Sequence, residues 1–290
     1  MKQKINGKTK VLGLIGNPVE HTISPLIHNT LSEKLCKDYV YVPFKVNRGN
    51  LSKAIEGAKA LNVTGLNVTV PYKEEVITEL IEVSLFAKQI GAVNTLKYTD
   101  DGYVGYNTDA EGLHKSLLNN DIVINNNDIV IIGAGGAAKA VGILCGSENA
   151  NSITIVNRTK EKAQNLANNI KKYYNVKTNV LGIDEIDRIS SFDIAFQTTP
   201  IGMSPNTEHN PIIEEEFYKK FHTAVDLIYN PYKTKFLLKA QENGIKILNG
   251  FEMLYYQGVR AYEIWNDIEI KQDILEDVKN QIIDSINLDI

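Results

Sequence analysis

The chain has 290 residues, 43% of them hydrophobic and 23% charged, which fits two soluble globular domains that each bury a core. Its formal net charge of −4 argues against a general nucleic-acid binder and against a protein that attaches to membrane surfaces. The longest apolar runs are too short to span a bilayer. Its two cysteines, Cys36 and Cys145, match neither a metal-binding spacing nor a disulfide framework, so we expect a cytoplasmic protein without a metal site.

The first half of the chain is predicted to alternate strands with helices. The apolar run at residues 11–15 predicts a buried strand, and Ser24 followed by Pro25 predicts a helix with Ser24 as its N-cap. Further elements are predicted as strands at 39–46 and 66–70, helices at 51–61 and 74–90, and a short β pair at 92–97 and 103–105. Because strands and helices alternate, we expect a mainly parallel sheet.

A second series of strands begins at Ile129. Its strands are predicted near residues 129–132, 152–156, 176–181, 192–198, 222–228 and 245–248. Helices lie between most of them, which is typical of a Rossmann-like, doubly wound unit. After Gly250 the pattern changes to two helices with apolar stripes and no further strand, so these helices are free to cover the first half of the chain.

The segment Gly133–Ala138 has the order of elements that a dinucleotide phosphate site requires. An apolar strand leads into its glycines and a small-residue helix leads out. Gly133 can adopt a turn conformation that a side chain would forbid, and Gly135 leaves room for a pyrophosphate facing the free N–H groups of the helix. Glycines also mark ordinary turns, but the flanking strand and helix favour the cofactor interpretation.

The residues after the second strand of this series indicate which dinucleotide binds. NAD sites usually carry Asp or Glu here, whereas this chain carries Arg158 with Lys160 and Lys162 close behind. Cations suit the 2′-phosphate of NADP, although Arg158 alone is also compatible with a solvated surface charge. We therefore expect NADP. The candidate cofactor residues are Gly133, Ala134, Gly135, Gly136, Ala137, Asn157, Arg158, Thr159, Lys162, Leu227 and Gly250.

Four polar segments of the first half lie where predicted strands end, at residues 16–29, 65–73, 91–95 and 105–112. Ligands of open α/β sheets bind beyond the carboxyl ends of the strands, so these segments should gather at one site. Together with the glycine segment and residues 197–203 and 249–257, they resemble the shikimate dehydrogenase family over about residues 11–266. The most specific part is Asn-Val-Thr-x-Pro-x-Lys at 67–73 combined with Asn-Thr-Asp-x-x-Gly at 107–112.

This resemblance implies a reversible, NADP-linked reduction of 3-dehydroshikimate to shikimate, on the route to chorismate and the aromatic amino acids. It also implies two domains that flank a cleft. Lys73 and Asp109 correspond to the catalytic pair, and a lysine beside a carboxylate can indeed hold a ketone oxygen and exchange its proton. Which of the two transfers the proton stays open. By the same resemblance, Thr22 and Ser24 bind the substrate carboxylate, Tyr229 is a further carboxylate candidate, and Thr69, Asn94 and Gln257, with the catalytic pair, bind its hydroxyls.

Each of these side chains also has a plain structural interpretation. Lys73 is compatible with a solvated charge, Asp109 with a helix N-cap or first-turn acid, Ser24 with a helix cap, Asn94 with a turn residue, and Gln257 with an exposed helical side chain. Their occurrence together favours the site. His21 and His28 are expected to be structural or rim residues, because they have neither cysteine partners nor a triad arrangement.

We therefore predict an α/β protein of two domains. Residues 1–108 and 250–290 form an α/β substrate-binding catalytic domain, and residues 109–249 form a Rossmann-like, doubly wound NADP-binding domain. The expected partner is a small-molecule substrate, with a homodimer possible. Two alternatives stay open: a quinate/shikimate dehydrogenase that uses NAD, against which Arg158 speaks, and a non-catalytic NADP-binding regulatory protein, against which the Lys73 and Asp109 pair speaks. Thr22 stands where the family more often has Ser, and its methyl group is a candidate obstruction to the extra hydroxyl of quinate.

Overall fold

The computed structural model describes residues 5–286, which divide into two compact units. Unit 1 extends to Glu111 and resumes at Tyr255, and unit 2 comprises Gly112–Leu254. The sequence places the corresponding domain boundaries at 108/109 and 249/250. The first four and the last four residues, which the sequence assigns to the substrate-binding domain, lie outside the described residues.

Unit 1 is an α/β unit built on a mixed sheet. Its elements up to the end of the sheet are β1 (Lys10–Gly16), α1 (Ser24–Lys34), β2 (Tyr39–Lys45), α2 (Leu51–Ala60), β3 (Gly65–Val68), β4 (Glu82–Val83), α3 (Leu85–Ile90), β5 (Thr95–Thr99) and β6 (Gly102–Tyr106). The strand order is β2-β1-β3-β5-β6-β4. Strand β1 runs parallel to β2 and β3, whereas β5 runs antiparallel to both β3 and β6.

The antiparallel β5–β6 hairpin determines where the polar segments of unit 1 lie. Because β5 is reversed relative to β3, the residues before β5 lie at the same sheet edge as the residues after β3 and after β6. Thr95 pairs with Tyr106 in the hairpin register, and the Asn94 N–H donates to the Tyr106 carbonyl at 3.0 Å. Three of the predicted polar segments therefore share one edge of the sheet.

Unit 2 contains a parallel sheet in the order expected of a doubly wound fold. Its elements are α4 (Asp109–Asn119, which begins in unit 1), β7 (Asp128–Ile132), α5 (Gly136–Ser147), β8 (Ser152–Val156), α6 (Lys160–Tyr173), β9 (Lys177–Leu181), β10 (Ile194–Gln197), β11 (Thr223–Asp226), α7 (Lys235–Glu242) and β12 (Lys246–Leu248). The strand order is β12-β11-β10-β7-β8-β9, and every neighbouring pair that the described residues form is parallel. The predicted Rossmann-like unit is confirmed.

Two helices follow, α8 (Phe251–Asn266) and α9 (Gln272–Ile286). From Tyr255 onward they belong to unit 1, where α9 packs against α1 and Tyr255 donates its hydroxyl to the Leu275 carbonyl at 2.7 Å. Among residues 5–286, no helix combines the length and the apolar character that crossing a membrane requires.

The predicted helix at 74–90 is wrong as a single element. A 3₁₀ helix at Glu75–Glu79 ends where Leu80 becomes extended, β4 then pairs with β6, and α3 starts anew with Ser84 as its N-cap. Sheet pairing thus overrides the local helical pattern, because Val83 is buried against the core in this arrangement. The predicted strand at 66–70 is also shorter, since it ends at Val68 and the chain turns through Thr69 and Val70.

Candidate active site

Lys73 and Asp109 form the centre of the site in unit 1. The Lys73 Nζ lies 2.6 Å from Asp109 Oδ2, and the side chains are 28% and 14% exposed. Asp109 is the first residue of α4, where a carboxylate interacts favourably with the helix N-terminus. Ligand and solvent can therefore reach the pair, which is nevertheless held in one arrangement.

Asn94 holds the second oxygen of the same carboxylate. Its Nδ2 donates to Asp109 Oδ1 at 2.9 Å and lies 3.5 Å from Gln257 Oε1. Asn94 is 2% exposed and lies in no turn, so the structure does not favour the alternative of a plain turn residue. Gln257, on α8, is half-buried rather than an exposed helical side chain. The structure thus brings together four of the predicted site residues.

Local backbone contacts fix the segments that carry these residues. The Val93 N–H donates to the Lys73 carbonyl at 2.7 Å, which ties the segment after β3 to the segment before β5. The buried Asn107 accepts from the Asp109 N–H at 3.1 Å and donates to the Ala92 carbonyl at 3.0 Å. Asn107 therefore caps the start of α4 and links it to the segment before β5.

Thr22 and Ser24 lie together at the start of α1. The Thr22 hydroxyl donates to Ser24 Oγ at 3.0 Å and accepts from the Ser24 N–H at 3.2 Å. The prediction of Ser24 as N-cap is wrong by one position: the N-cap is Ile23, and Ser24 is the first helical residue. Its hydroxyl instead faces Thr22, which leaves two adjacent hydroxyl groups at a helix N-terminus, where negative charge is favoured.

Thr69 and Tyr229 occupy different units. Thr69 is half-buried, follows β3 and donates its N–H to the Ile15 carbonyl at 3.0 Å, beside the end of β1. Tyr229 follows β11 in unit 2, where burial raises the pKa of its hydroxyl. The structure therefore places Thr69 among the segments of unit 1 and Tyr229 in unit 2.

The glycine turn between β7 and α5 has the geometry that its sequence predicts. Gly133 has φ +114°, and a Cβ there would meet Thr198 Oγ1 at 2.5 Å, so a side chain is excluded on two grounds. Gly135, the N-cap of α5, has no side-chain cap, and a Cβ on Gly135 or Gly136 would meet no atom within 4 Å. The turn therefore presents open space beside the first N–H groups of a helix, which fits a pyrophosphate.

The cations after β8 are not equivalent. Lys160 pairs with Glu185 at 2.5 Å, which takes it away from the role of phosphate ligand that the sequence allows. Arg158 and Lys162 are exposed and form no ion pair within residues 5–286. Asn157 shapes this loop by donating its side-chain amide to the Thr159 carbonyl at 2.8 Å. Two cations beside the glycine turn remain available for a 2′-phosphate.

Leu227 and Gly250 adjoin each other at the carboxyl ends of β11 and β12. A Cβ on Gly250 would overlap the Leu227 carbonyl, and the Gly250 N–H donates to the Ile228 carbonyl at 3.0 Å. Close backbone approach therefore accounts for the glycine. NADP fits this region for three reasons. Gly133 is sterically required, the turn has an open face, and Arg158 and Lys162 form no ion pair within the described residues.

His28 and Asp226 are buried titratable side chains that lie outside the predicted site. His28 is fully buried, its ring stacks on Tyr41 at 4.3 Å, and neither of its nitrogens has a hydrogen-bond partner within the described part of the chain. Burial lowers its pKa to about 3, so it is a neutral core residue, whereas His21 is exposed. In unit 2, burial raises the pKa of Asp226 to about 7. Residues 5–286 contain no group of three or more His, Cys, Asp or Glu side chains placed to hold a metal ion.

The sequence motifs contain several buried polar residues behind the site to which sequence reasoning assigns no role. Asn67, Thr95 and Thr108 are at most 5% exposed and hydrogen-bond to Asn94 or to one another. For Asn67 a signal exists, because it is a polar residue inside the short and otherwise non-polar strand β3. Because buried polar groups must be satisfied, such positions indicate an internal hydrogen-bond network.

Two family models match the chain. A shikimate dehydrogenase substrate binding domain matches residues 14–96, and a shikimate / quinate 5-dehydrogenase model matches residues 113–225. Among curated relatives, a shikimate dehydrogenase (NADP+) of Methanocaldococcus jannaschii is 43% identical over 288 residues, covering 97% of this chain and 99% of the relative. That of Methanococcus aeolicus is 41% identical over 280 residues, with 97% and 99% covered.

Solved structures of shikimate dehydrogenases are also similar to this chain over most of its length. A shikimate dehydrogenase in complex with NADP+ has a TM-score of 0.89 and 43% identity, with 98% of each chain covered. A shikimate 5-dehydrogenase of Thermus thermophilus in complex with NADP(H) and shikimate has a TM-score of 0.83 and 26% identity, covering 94% of this chain and 99% of the other. That of Listeria monocytogenes, in complex with shikimate and NAD, has a TM-score of 0.89 and 31% identity, with 96% and 99% covered.

Proposed function

The chain belongs to the shikimate dehydrogenase family, and from this premise we propose that Lys73 and Asp109 carry out proton transfer to and from its substrate. The protein is an NADP-dependent oxidoreductase that interconverts 3-dehydroshikimate and shikimate. The observation that carries the proposal is the contact between Lys73 Nζ and Asp109 Oδ2 at 2.6 Å, with Asn94 on the other carboxylate oxygen.

The reaction needs a proton acceptor at the hydroxyl oxygen and a hydride acceptor at the carbon that bears it. In the oxidative direction the O–H bond breaks and its proton passes to the Lys73–Asp109 pair, while the C–H bond breaks and its hydrogen leaves with both bonding electrons as hydride. The chemistry that NADP would supply when bound is an acceptor for this hydride. Because Nζ and Oδ2 are in contact, a substrate hydroxyl held against either atom can exchange its proton through both. Reduction of the ketone returns the proton by the same route.

We assign the substrate carboxylate to Thr22 and Ser24. Their hydroxyls lie side by side at the N-terminus of the eleven-residue helix α1, where backbone N–H groups favour an anion. The ring hydroxyls are assigned to Thr69, Asn94 and Gln257 together with the catalytic pair. Tyr229 is proposed as an additional carboxylate contact. Asn94 and Gln257 offer an amide donor and an amide acceptor 3.5 Å apart, which suits a polyhydroxylated ligand.

We assign the pyrophosphate of NADP to the turn Gly133–Ala137 and its 2′-phosphate to Arg158 and Lys162, with Asn157, Thr159, Leu227 and Gly250 lining the rest of the cofactor site. The supporting observations are the open face of the turn and the exposure of the two cations, as against the pairing of Lys160 with Glu185. By the same assignment, unit 1 is the substrate-binding domain and unit 2 the NADP-binding domain.

The test is a spectrophotometric assay of the purified protein, with shikimate or quinate combined with NADP or NAD. We expect reduced nicotinamide to form fastest with shikimate and NADP, and Asp109→Asn to abolish most of that rate. Faster turnover with NAD than with NADP would instead support the quinate/shikimate alternative. A complete lack of turnover in all four combinations would leave a non-catalytic NADP-binding protein.

We further propose a cytoplasmic location, which suits the free thiols of Cys36 and Cys145. A homodimer is also proposed. Light scattering coupled to size-exclusion chromatography decides it, because a monomer of 32.4 kDa and its dimer differ twofold in mass.

A further inference from the structure

A buried chain of hydrogen bonds leads to Asp109 through the interior of unit 1. The Tyr41 hydroxyl donates to Asn67 Oδ1 at 2.8 Å, and Asn67 Nδ2 donates to Thr95 Oγ1 at 3.2 Å. The Thr95 hydroxyl donates to Asn94 Oδ1 at 3.0 Å, and Asn94 Nδ2 then donates to Asp109 Oδ1 at 2.9 Å. Tyr41, Asn67, Asn94 and Thr95 are each at most 5% exposed, so water does not compete for these bonds.

In this series of hydrogen bonds, each donor points toward the Asp109 carboxylate. The Tyr41 hydroxyl occupies the carbonyl side of Asn67, which turns the Asn67 amide group toward Thr95. With its oxygen accepting from Asn67, the Thr95 hydroxyl has two acceptors within reach of its single proton, Asn94 Oδ1 at 3.0 Å and Thr108 Oγ1 at 3.3 Å, and the contact with Asn94 is the shorter. Hydrogen bonds arranged head to tail in a buried network polarise one another, so each link strengthens the next.

The position of the Asp109 carboxylate depends on the orientation of the Asn94 amide. The Thr108 N–H can only donate, and it donates to Asn94 Oδ1 at 2.8 Å, beside the bond from Thr95. These donors keep the carbonyl oxygen of Asn94 inward and its amino group on Asp109. Asp109 Oδ1 is thereby held, which leaves Oδ2 facing Lys73.

We propose that Thr95 is a positioning residue for the Lys73–Asp109 pair, acting through Asn94. The inference rests on the proposed function of that pair. Removing the Thr95 hydroxyl takes one donor from Asn94 Oδ1, which keeps the Thr108 N–H, and one acceptor from Asn67 Nδ2, which keeps the Asn94 backbone carbonyl. One buried N–H of Asn67 then lacks an acceptor and the Asn94 amide is held by fewer donors, which loosens its orientation. A displaced Asn94 then releases Asp109 Oδ1 and withdraws a donor from the substrate hydroxyls. Chemistry and substrate binding are both affected, while the NADP site is not.

The opposing interpretation is that Thr95 merely stabilises the sheet, as the first residue of β5. A destabilised fold reduces the amount of active enzyme, which lowers kcat and leaves both KM values unchanged. A lost positioning group lowers kcat and raises the KM for shikimate in the folded enzyme. The two interpretations therefore differ in the KM for shikimate and in the response to a conservative replacement.

The experiment compares Thr95→Val, which keeps the shape without the hydroxyl, with Thr95→Ser, which keeps the hydroxyl. We expect Thr95→Val to lower kcat about 10- to 100-fold, the order associated with small displacements of catalytic groups, and to raise the KM for shikimate at constant KM for NADP. Thr95→Ser is expected to recover most of the loss. Tyr103→Phe is the matched control: the 2% exposed Tyr103 on β6 donates to the Val63 carbonyl at 2.7 Å, away from Asp109. It should leave both KM values unchanged.

Wild-type kinetics in Thr95→Val would overturn the proposal, as would a Thr95→Ser enzyme no better than Thr95→Val or a Tyr103→Phe enzyme with the same rise in KM. If Thr95→Val does not fold, Tyr41→Phe takes its place, because Tyr41 is the first donor of the hydrogen-bond series. We expect a smaller rise in the KM for shikimate, and unchanged kinetics would contradict the proposal. Asp109→Asn separates the two levels of inference. Full activity of Asp109→Asn removes the proposed function itself, whereas an inactive Asp109→Asn beside a normal Thr95→Val removes the role of Thr95 alone.

Discussion

Unit 1 and unit 2 are both α/β units, yet they supply their functional groups in different ways. Unit 1 uses side chains that buried amides and hydroxyls hold in place, as with Asp109 between Lys73 and Asn94. Unit 2 offers a backbone turn with a left-handed glycine and two exposed cations. A site built from a buried network couples chemistry to the interior of the fold, whereas a site built from a turn and surface charges can be altered with little effect on the core.

The largest expected effect comes from removing the amine of unit 1. Lys73→Ala should lower kcat by about 10²- to 10⁴-fold, the usual contribution of a positioned acid–base group, with little change in the KM for NADP. Lys97→Ala is the matched control, because Lys97 also pairs with an acid in unit 1, Asp267, and neither residue belongs to the candidate site. Comparable losses in both variants would contradict the special role of Lys73 and with it the contrast between the units.

A second test sets the buried titratable groups of the two units against each other. The pKa of His28 falls from 6.5 to about 3 in the folded protein, so the unfolded chain binds more protons and folding stability decreases as the pH falls. Between pH 6.5 and about pH 4 the loss amounts to roughly 3 kcal/mol. The pKa of Asp226 rises from 3.8 to about 7, so the folded protein binds more protons and stability decreases as the pH rises. Between about pH 4 and pH 7 that loss is roughly 4 kcal/mol.

Hydrogen exchange of buried amides, corrected for the intrinsic pH dependence of exchange, reports these opposite slopes within each unit. His28→Phe should remove the slope assigned to α1 and β2, and Asp226→Asn the slope assigned to β11. The difference between wild type and each variant isolates one group from the other titrating residues. If the difference in stability between wild type and variant changed with pH in the same direction for His28→Phe and Asp226→Asn, the opposite effects of burial on the two groups would be contradicted.

The smallest expected effect is on cofactor choice in unit 2. Arg158→Ala should weaken NADP binding about 10-fold, in line with the loss of a charge-assisted hydrogen bond, while NAD binding stays nearly constant. Fluorescence titration with the two cofactors measures the ratio. Lys160→Ala is the control, because its amine is already paired with Glu185. An equal loss of NAD affinity in Arg158→Ala would argue against the assignment of the 2′-phosphate.

The sequence predicts a structural feature well when the residues that determine the feature are neighbours along the chain. The Gly133 turn is predicted in detail, because a strand, a left-handed residue and a helix start are neighbours along the chain. The extended segment 80–83 is not, because its form depends on pairing with β6 some twenty residues later. Family motifs predict Lys73 and Asp109 as site residues, whereas their contact depends on the β5–β6 hairpin, which no single motif contains. The pairing of Lys160 with Glu185 is likewise a tertiary event that charge spacing does not reveal.

The β5–β6 hairpin has a further consequence for how this protein can vary. Pairing of Thr95 with Tyr106, at the open end of the hairpin, places the segment of Asn94 beside that of Asp109, and a slip of one residue would send each side chain to the opposite face of the sheet. The number of residues in each strand of the hairpin thus determines where Asn94 and Asp109 lie relative to each other. Exposed side chains near its tip are free to change in identity, but the number of residues in each strand is not free. Insertions and deletions, rather than substitutions, are the changes that this part of the molecule tolerates least.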